Sequence, residues 1–207
     1  RVPFTPSIEL NPAPPRYPRR VPSAADRSGM SASLLFRAGS LRGRNLGTEC
    51  HDFLRRITWC GNANELHAQL EAAALSDDAR ELLQHALRPE SEVLHAFIAQ
   101  CTSAELWQEK RFEAIVDHGD RPVWISGVFD RVVLERDERG VYSSAVIYDF
   151  KTTWVGEQNE LLQDVVQLYT DQMRNYRLAL AQLTGLPSAG ITTKLVLLRA
   201  AHIATVS

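Results

Sequence analysis

Lysine is nearly absent from this chain. Of its 23 basic residues only Lys110, Lys151 and Lys194 are lysine, and the rest are arginine. Cysteine is scarce as well: Cys50, Cys60 and Cys101 are odd in number, widely spaced and form no C-x-x-C. That argues against a disulfide framework and against a zinc or iron–sulfur site. Reduced, mostly buried thiols in a cytoplasmic protein are the expectation. No apolar run reaches the roughly 18 residues that a membrane helix needs, and the first residues lack the pattern of a signal peptide. There is no surplus of positive charge either, since the formal net charge is −2. A polyanionic partner must therefore be gripped by a local patch or through metal ions.

What is present is 207 residues, 44% hydrophobic and 23% charged, enough for one well-buried core. The chain begins with Arg1 rather than Met, as expected of a piece of something longer. Residues 1–30 are rich in proline and carry Arg16, Arg19 and Arg20 without an apolar period. They read as a linker or extended arm. Residues 31–207 read as one domain. Its first part, 31–101, is helical, with three or four helices. "GTECHDFLRRITWC" sets Cys50, Phe53, Leu54 and Ile57 on one stripe, with Thr48 as its cap. Ser76 caps a later helix with acids in its first turn.

The pattern changes over 102–207. "LWQEKRFEAIV", "PVWISGVFDRVVLE" and "VYSSAVIYDFKTT" are rich in β-branched and aromatic residues and are separated by turn-like stretches. They predict a meander of three strands, the last two central and covered on both faces. A long helix follows at about 160–184, ended by Gly185 and Pro187. "GITTKLVLLRA" and "HIATVS" predict two more strands.

In "IYDFKTT", Asp149 and Lys151 project from one face of a strand and Phe150 from the other. Asp130, in "GVFDRV", lies about as far from the hairpin turn as Asp149 does, so the two carboxylates are expected to be cross-strand neighbours. Gly127 would let something approach the backbone there. Paired carboxylates repel unless a cation lies between them. Hard oxygen ligands on a rigid strand suit Mg²⁺, and a lysine beside them can orient or deprotonate a water. An Arg in that place could not serve as a base. From D-x-K alone, a pattern that is short and common, a buried Asp–Lys pair that only ties two strands together is the readier reading.

"GTECHDFL", "GVFDRV", "IYDFKTT" and "QMRNY", taken in this order, resemble the RecB-type nuclease branch of the PD-(D/E)xK superfamily. The chain looks most like the C-terminal nuclease domain of AddA-type helicase–nucleases of the UvrD-like superfamily. The resemblance implies an α/β, restriction-endonuclease-like fold: a mixed central sheet of about four or five strands with helices on both faces. It implies a metal-dependent deoxyribonuclease, exonuclease rather than endonuclease, acting on DNA in repair and recombination of double-strand breaks. Helicase domains of the same parent chain and a second nuclease or helicase subunit are its implied partners. Mg²⁺, with Mn²⁺ able to substitute, is the implied cofactor. Asp130 and Asp149 would bind the metal, with the Phe150 carbonyl and His51 beside them. Lys151 would be the catalytic lysine, and Gln172 and Tyr176 would support the site and the DNA strand. Glu109, in "WQEKRF", falls where such domains often carry an acid. Some relatives use four cysteines to hold an iron–sulfur cluster; this chain has three at other spacings, and no cluster is expected. Two alternatives stay open: a nuclease-fold module that binds DNA or a partner without cutting, and a stand-alone structure-specific nuclease. Arg131 and Arg174 fit phosphate contacts or surface ion pairs equally well, and the tryptophans 107, 124 and 154 fit core or rim positions.

Overall fold

The computed structural model describes residues 17–20, 41–98, 104–117, 121–153 and 159–206. Cys101, Trp154 and Arg16 lie outside them. Three helices come first: α1 (Leu41–Leu54), α2 (Ala63–Ala72) and α3 (Asp77–Ala86), followed by a 3-10 turn at Glu92–Ala96. The meander follows as β2 (Glu105–Asp117), β3 (Pro122–Arg136) and β4 (Tyr142–Lys151). Then come α4 (Asn159–Thr184), β5 (Ile191–Leu197) and β6 (His202–Val206). The main sheet order is β2-β3-β4-β5-β6. Only the β4–β5 pair within that order is parallel, and α4 is the crossover that such a pair requires. One further strand, β1, is two residues long, Arg19–Arg20, and runs parallel to β3 at Trp124–Ile125. This stretch lies within the segment expected as an arm.

The helix ends follow local chemistry. Asn62 caps α2 by accepting from the Glu65 N–H at 3.0 Å, while the Glu65 carboxylate accepts from the Gly61 N–H at 2.7 Å. Ser76 caps α3, with Asp77 and Asp78 in its first turn where they suit the helix dipole. Arg80 of α3 donates to the Leu70 and Ala73 carbonyls at 2.9 and 2.8 Å, closing the end of α2. Gly185 ends α4 at φ +75°, a left-handed cap that glycine adopts without a side-chain penalty. Thr48 is a correction: α1 begins at Leu41, so Thr48 sits inside the helix and does not cap it.

Two cores sandwich the sheet. One joins α1, α2, α3 and the 3-10 turn to Tyr148, Phe150, Val196 and Leu198. The other joins α4 to the opposite face of β2, β3, β4 and β5. Each fully buried leucine, such as Leu66, Leu83 or Leu180, contributes about 1.5–3 kcal/mol through burial. Cys50 and Cys60 are buried free thiols in the first core, and burial pushes Cys50 up to about 12.

A paired irregularity runs across β2 and β3. On β3 the residues facing α4 are Val123, Ile125 and Phe129, then Val132 and Leu134, so the alternation changes parity after Phe129. On β2 they are Trp107, then Phe112, Ala114 and Val116, so parity changes there as well. The pairing register is the same on either side of the break: Gln108↔Arg131 before it and Lys110↔Phe129 after it. Glu109 and Asp130, the two residues between, are left out of the ladder. Glu109 has φ 47°, a left-handed backbone uncommon for a non-glycine residue. Such a conformation costs of order 1–3 kcal/mol and persists only where surrounding structure imposes it.

Candidate active site

The site forms where β3 and β4 part. Their ladder ends at Arg131↔Tyr148. Beyond it β4 stays with β5, pairing Asp149↔Leu195 and Lys151↔Leu197. Asp130 and Asp149 thus stand opposite each other at the mouth of the gap, as their distance from the hairpin predicts. Asp130 spans the gap, its Oδ2 accepting from the Phe150 N–H at 2.8 Å.

Both faces of the sheet contribute. From α1, His51 brings Nε2 to 3.0 Å from the Phe150 carbonyl and Nδ1 to 3.7 Å from Asp130 Oδ2. Its ring meets Phe150 edge-on, and Phe150 stacks in turn on Phe97. From α4, Gln172 donates to Asp149 Oδ1 at 3.0 Å and also contacts the Tyr176 hydroxyl at 3.1 Å. Lys151 reaches Asp149 Oδ2 at 2.5 Å, and its ammonium lies 4.8 Å from the centre of the Tyr169 ring. Gly127 has a specific reason: a Cβ there would come within 2.9 Å of the Phe112 ring. What approaches the backbone at Gly127 is therefore an aromatic ring of the protein, which packs against Phe129 and Tyr176.

Charge is concentrated where water is scarce. Asp149 is 1% exposed. Burial and, second, the Asp149 carboxylate push Asp130 up to about 6, against the opposing pull of His51, Lys151 and the Phe150 N–H. Burial works against the Lys151 charge, but Asp149 and Asp130 outweigh it and hold the lysine above its ordinary value. Lys151 is therefore an ammonium. Burial and the same two carboxylates keep the Tyr176 phenol protonated.

The structure brings together all eight residues singled out from the sequence, with one change of emphasis. One ligand atom each of His51, Glu109 and Asp130 lies within 4.8 Å of the others. This is the metal-competent cluster among the described residues, and Asp149 stands beside it with its carboxylate turned to Lys151 and Gln172. Two carboxylates and a carbonyl oxygen are hard donors and the imidazole is a borderline one, a mixed set that divalent cations take. The residues present fit a divalent cation.

Among the flanking side chains, Arg131 goes elsewhere than expected. Arg131 is 1% exposed, away from the surface where a phosphate contact or a surface ion pair would form. Its guanidinium donates to the Ile57 and Thr58 carbonyls at 2.8 and 2.6 Å and lies between Trp59 and Phe97. Arg174 is exposed on α4. Trp107 is half-buried, bonded to Glu105, and Trp124 is exposed. Tyr169 was missed, though its helical spacing to Gln172 and Tyr176 (i, i+3, i+7) marks the same face. The cleft over the site, about 720 Å³, continues along β2 and β3 past Arg111, Glu113, Ser126 and Val128.

A mixed sheet that splits to present two carboxylates and a lysine, with a histidine and a glutamine arriving from opposite faces, defines a metal-assisted hydrolase type of site. The sequence profile of the PD-(D/E)XK nuclease superfamily matches residues 34–206. The chain belongs to that superfamily. No curated protein matches it. No helix among the described residues is long and apolar enough to cross a membrane.

Proposed function

We propose that this domain is a Mg²⁺-dependent deoxyribonuclease, with Mn²⁺ able to replace Mg²⁺, working as the nuclease module of a helicase–nuclease. One observation carries the nuclease: His51, Glu109 and Asp130 converge beside the Phe150 carbonyl at the strand split, with the Asp149–Lys151 pair next to them. His51, Glu109, Asp130 and the Phe150 carbonyl would hold the ion, with Asp149 alongside. A divalent cation there would supply Lewis acidity for a phosphoryl oxygen and would make a water held beside it more acidic and a better nucleophile.

The protein's own groups do the rest. Lys151, kept protonated by its carboxylate neighbours, serves as a charged donor that orients the attacking water or meets charge developing on the phosphate. Gln172 fixes Asp149, and Tyr176 holds Gln172 in place. Arg111, on the cleft wall, is suited to a flanking phosphate. The order of the sequence motifs supports a helicase-fed exonuclease of the AddA type, acting in double-strand-break repair with a partner subunit.

The test is Mg²⁺- or Mn²⁺-dependent cleavage of end-labelled linear single-stranded DNA, with Lys151→Ala and Asp130→Ala alongside. Each substitution is expected to lower the rate by about a hundredfold to a thousandfold. A folded wild-type chain that binds the metal and leaves the DNA intact would overturn the proposal in favour of a binding module.

A further inference from the structure

The two residues that flank the irregularity of β2 and β3 are themselves a matched pair. Gln108 and Arg131 face each other across the ladder, one step from Glu109 and Asp130. Both reach to the same place. Gln108 Nε2 donates to the Ile57 carbonyl at 2.7 Å, and Arg131 donates to Ile57 and Thr58 at 2.8 and 2.6 Å. Ile57 and Thr58 lie three and four residues past Leu54, the last residue of α1, the helix that carries His51. The Ile57 oxygen thus accepts two bonds at once, and three donors in all anchor the exit of α1 to the sheet.

The environment of the clamp says that it is specific. Arg131 is a fully buried cation whose bonded partners are two carbonyls and whose flat faces meet Trp59 and Phe97. Burying a guanidinium is costly unless its donors are satisfied; the two terminal nitrogens are, while Nε has no hydrogen-bond partner among the described residues. A lysine could not satisfy two carbonyls in this fork or stack between two rings. Phe97, which covers one face of the guanidinium, also stacks on Phe150, whose carbonyl His51 touches. One contiguous set of contacts therefore runs from Arg131 to both the helix and the strand that bear His51 and Phe150.

We infer that Gln108 and Arg131 are positioning residues for the metal site: they fix α1 on the sheet so that the His51 ring meets Glu109, Asp130 and the Phe150 carbonyl. This rests on the metal-site reading proposed above. Neither side chain supplies a ligand. Each acts through His51, at the same point in both strands where the sheet is distorted to present Glu109 and Asp130.

Mn²⁺ affinity of the whole chain, read by electron paramagnetic resonance in the absence of DNA, tests this. Gln108→Leu, which leaves Arg131 in place, is expected to keep its fold by circular dichroism and to bind Mn²⁺ about tenfold more weakly. Arg131→Met is expected to weaken binding further, within the 10- to 100-fold range of residues that orient metal ligands. The deciding arm is His51→Ala, in whose background neither substitution should weaken binding again. A general structural effect would persist there, and persistence would overturn the inference. So would unchanged affinity in a folded Gln108→Leu. If Arg131→Met does not fold, Gln108→Leu alone and with His51→Ala decides. No Mn²⁺ binding by the wild type would overturn both this inference and the metal site, whereas wild-type binding with indifferent Gln108 variants would overturn only this one.

Discussion

On the α4 face of the sheet, Asp149 and Lys151 are held by side chains: Gln172, Tyr169 and, behind Gln172, Tyr176. On the α1 face, Asp130 is held by a backbone N–H and approached by His51, which rides on a helix packed into a separate apolar core. The first half is assembled by polar contacts at the site itself. The second depends on how a whole helix docks. The two halves should therefore fail differently, one through local chemistry and one through packing.

Phe150→Ala should have the largest effect on stability, because it deletes the ring that stacks on Phe97 in the α1-face core. A loss of about 3–5 kcal/mol is expected, measured by urea unfolding, together with weaker Mn²⁺ binding as His51 loses its neighbour. Gln172→Leu should strike the other half. It takes a donor from a buried carboxylate, for about 1–3 kcal/mol. Cleavage should fall about 10- to 100-fold, while Mn²⁺ affinity at the His51 cluster falls less than cleavage does. Equal losses in both would erase the distinction between the halves.

Glu109→Asn sharpens it further. Asparagine tolerates the left-handed backbone better than glutamate, so the thermal midpoint is expected to rise, by about 1 kcal/mol or less in stability. The same substitution removes a carboxylate from the cluster, so Mn²⁺ affinity should drop. A lower midpoint would show that Glu109 is not strained. The smallest effect belongs to a surface control away from both halves. Hydrogen bonds from Trp107, Arg136 and Tyr142 hold Glu105 down at about 2. A carboxylate lowered in the folded state stabilises above its ordinary value of 4.5, and that contribution is lost as pH falls through about 2. The difference in urea midpoint between wild type and Glu105→Gln should therefore narrow as pH is lowered from 4.5 toward 2, and it should be modest because the pair is well exposed.

Much of this was legible in the sequence. β-branched and aromatic content between turn-like stretches marked β2, β3 and β4, and counting from the hairpin placed Asp130 opposite Asp149. Parity alone separated Phe150 from its charged neighbours. Other features were invisible for physical reasons. The left-handed backbone at Glu109 has no local signal in the sequence, since glutamate seldom adopts it. Arg131 looked like a surface cation because composition cannot show that two carbonyls and two rings await it. β1 is too short to have a period, and Thr48 looked like a cap because the helix ahead of it has little apolar pattern.

The paired change of parity in β2 and β3 has a further meaning. If Glu109 and Asp130 were both deleted, the residues on either side would resume strict alternation, and the hairpin would close as an ordinary ribbon. If only one were deleted, the other would remain as a one-residue bulge opposite its partner strand. Both acids are thus the surplus residues of a regular hairpin, and their chemistry comes as a matched insertion, one residue in each strand.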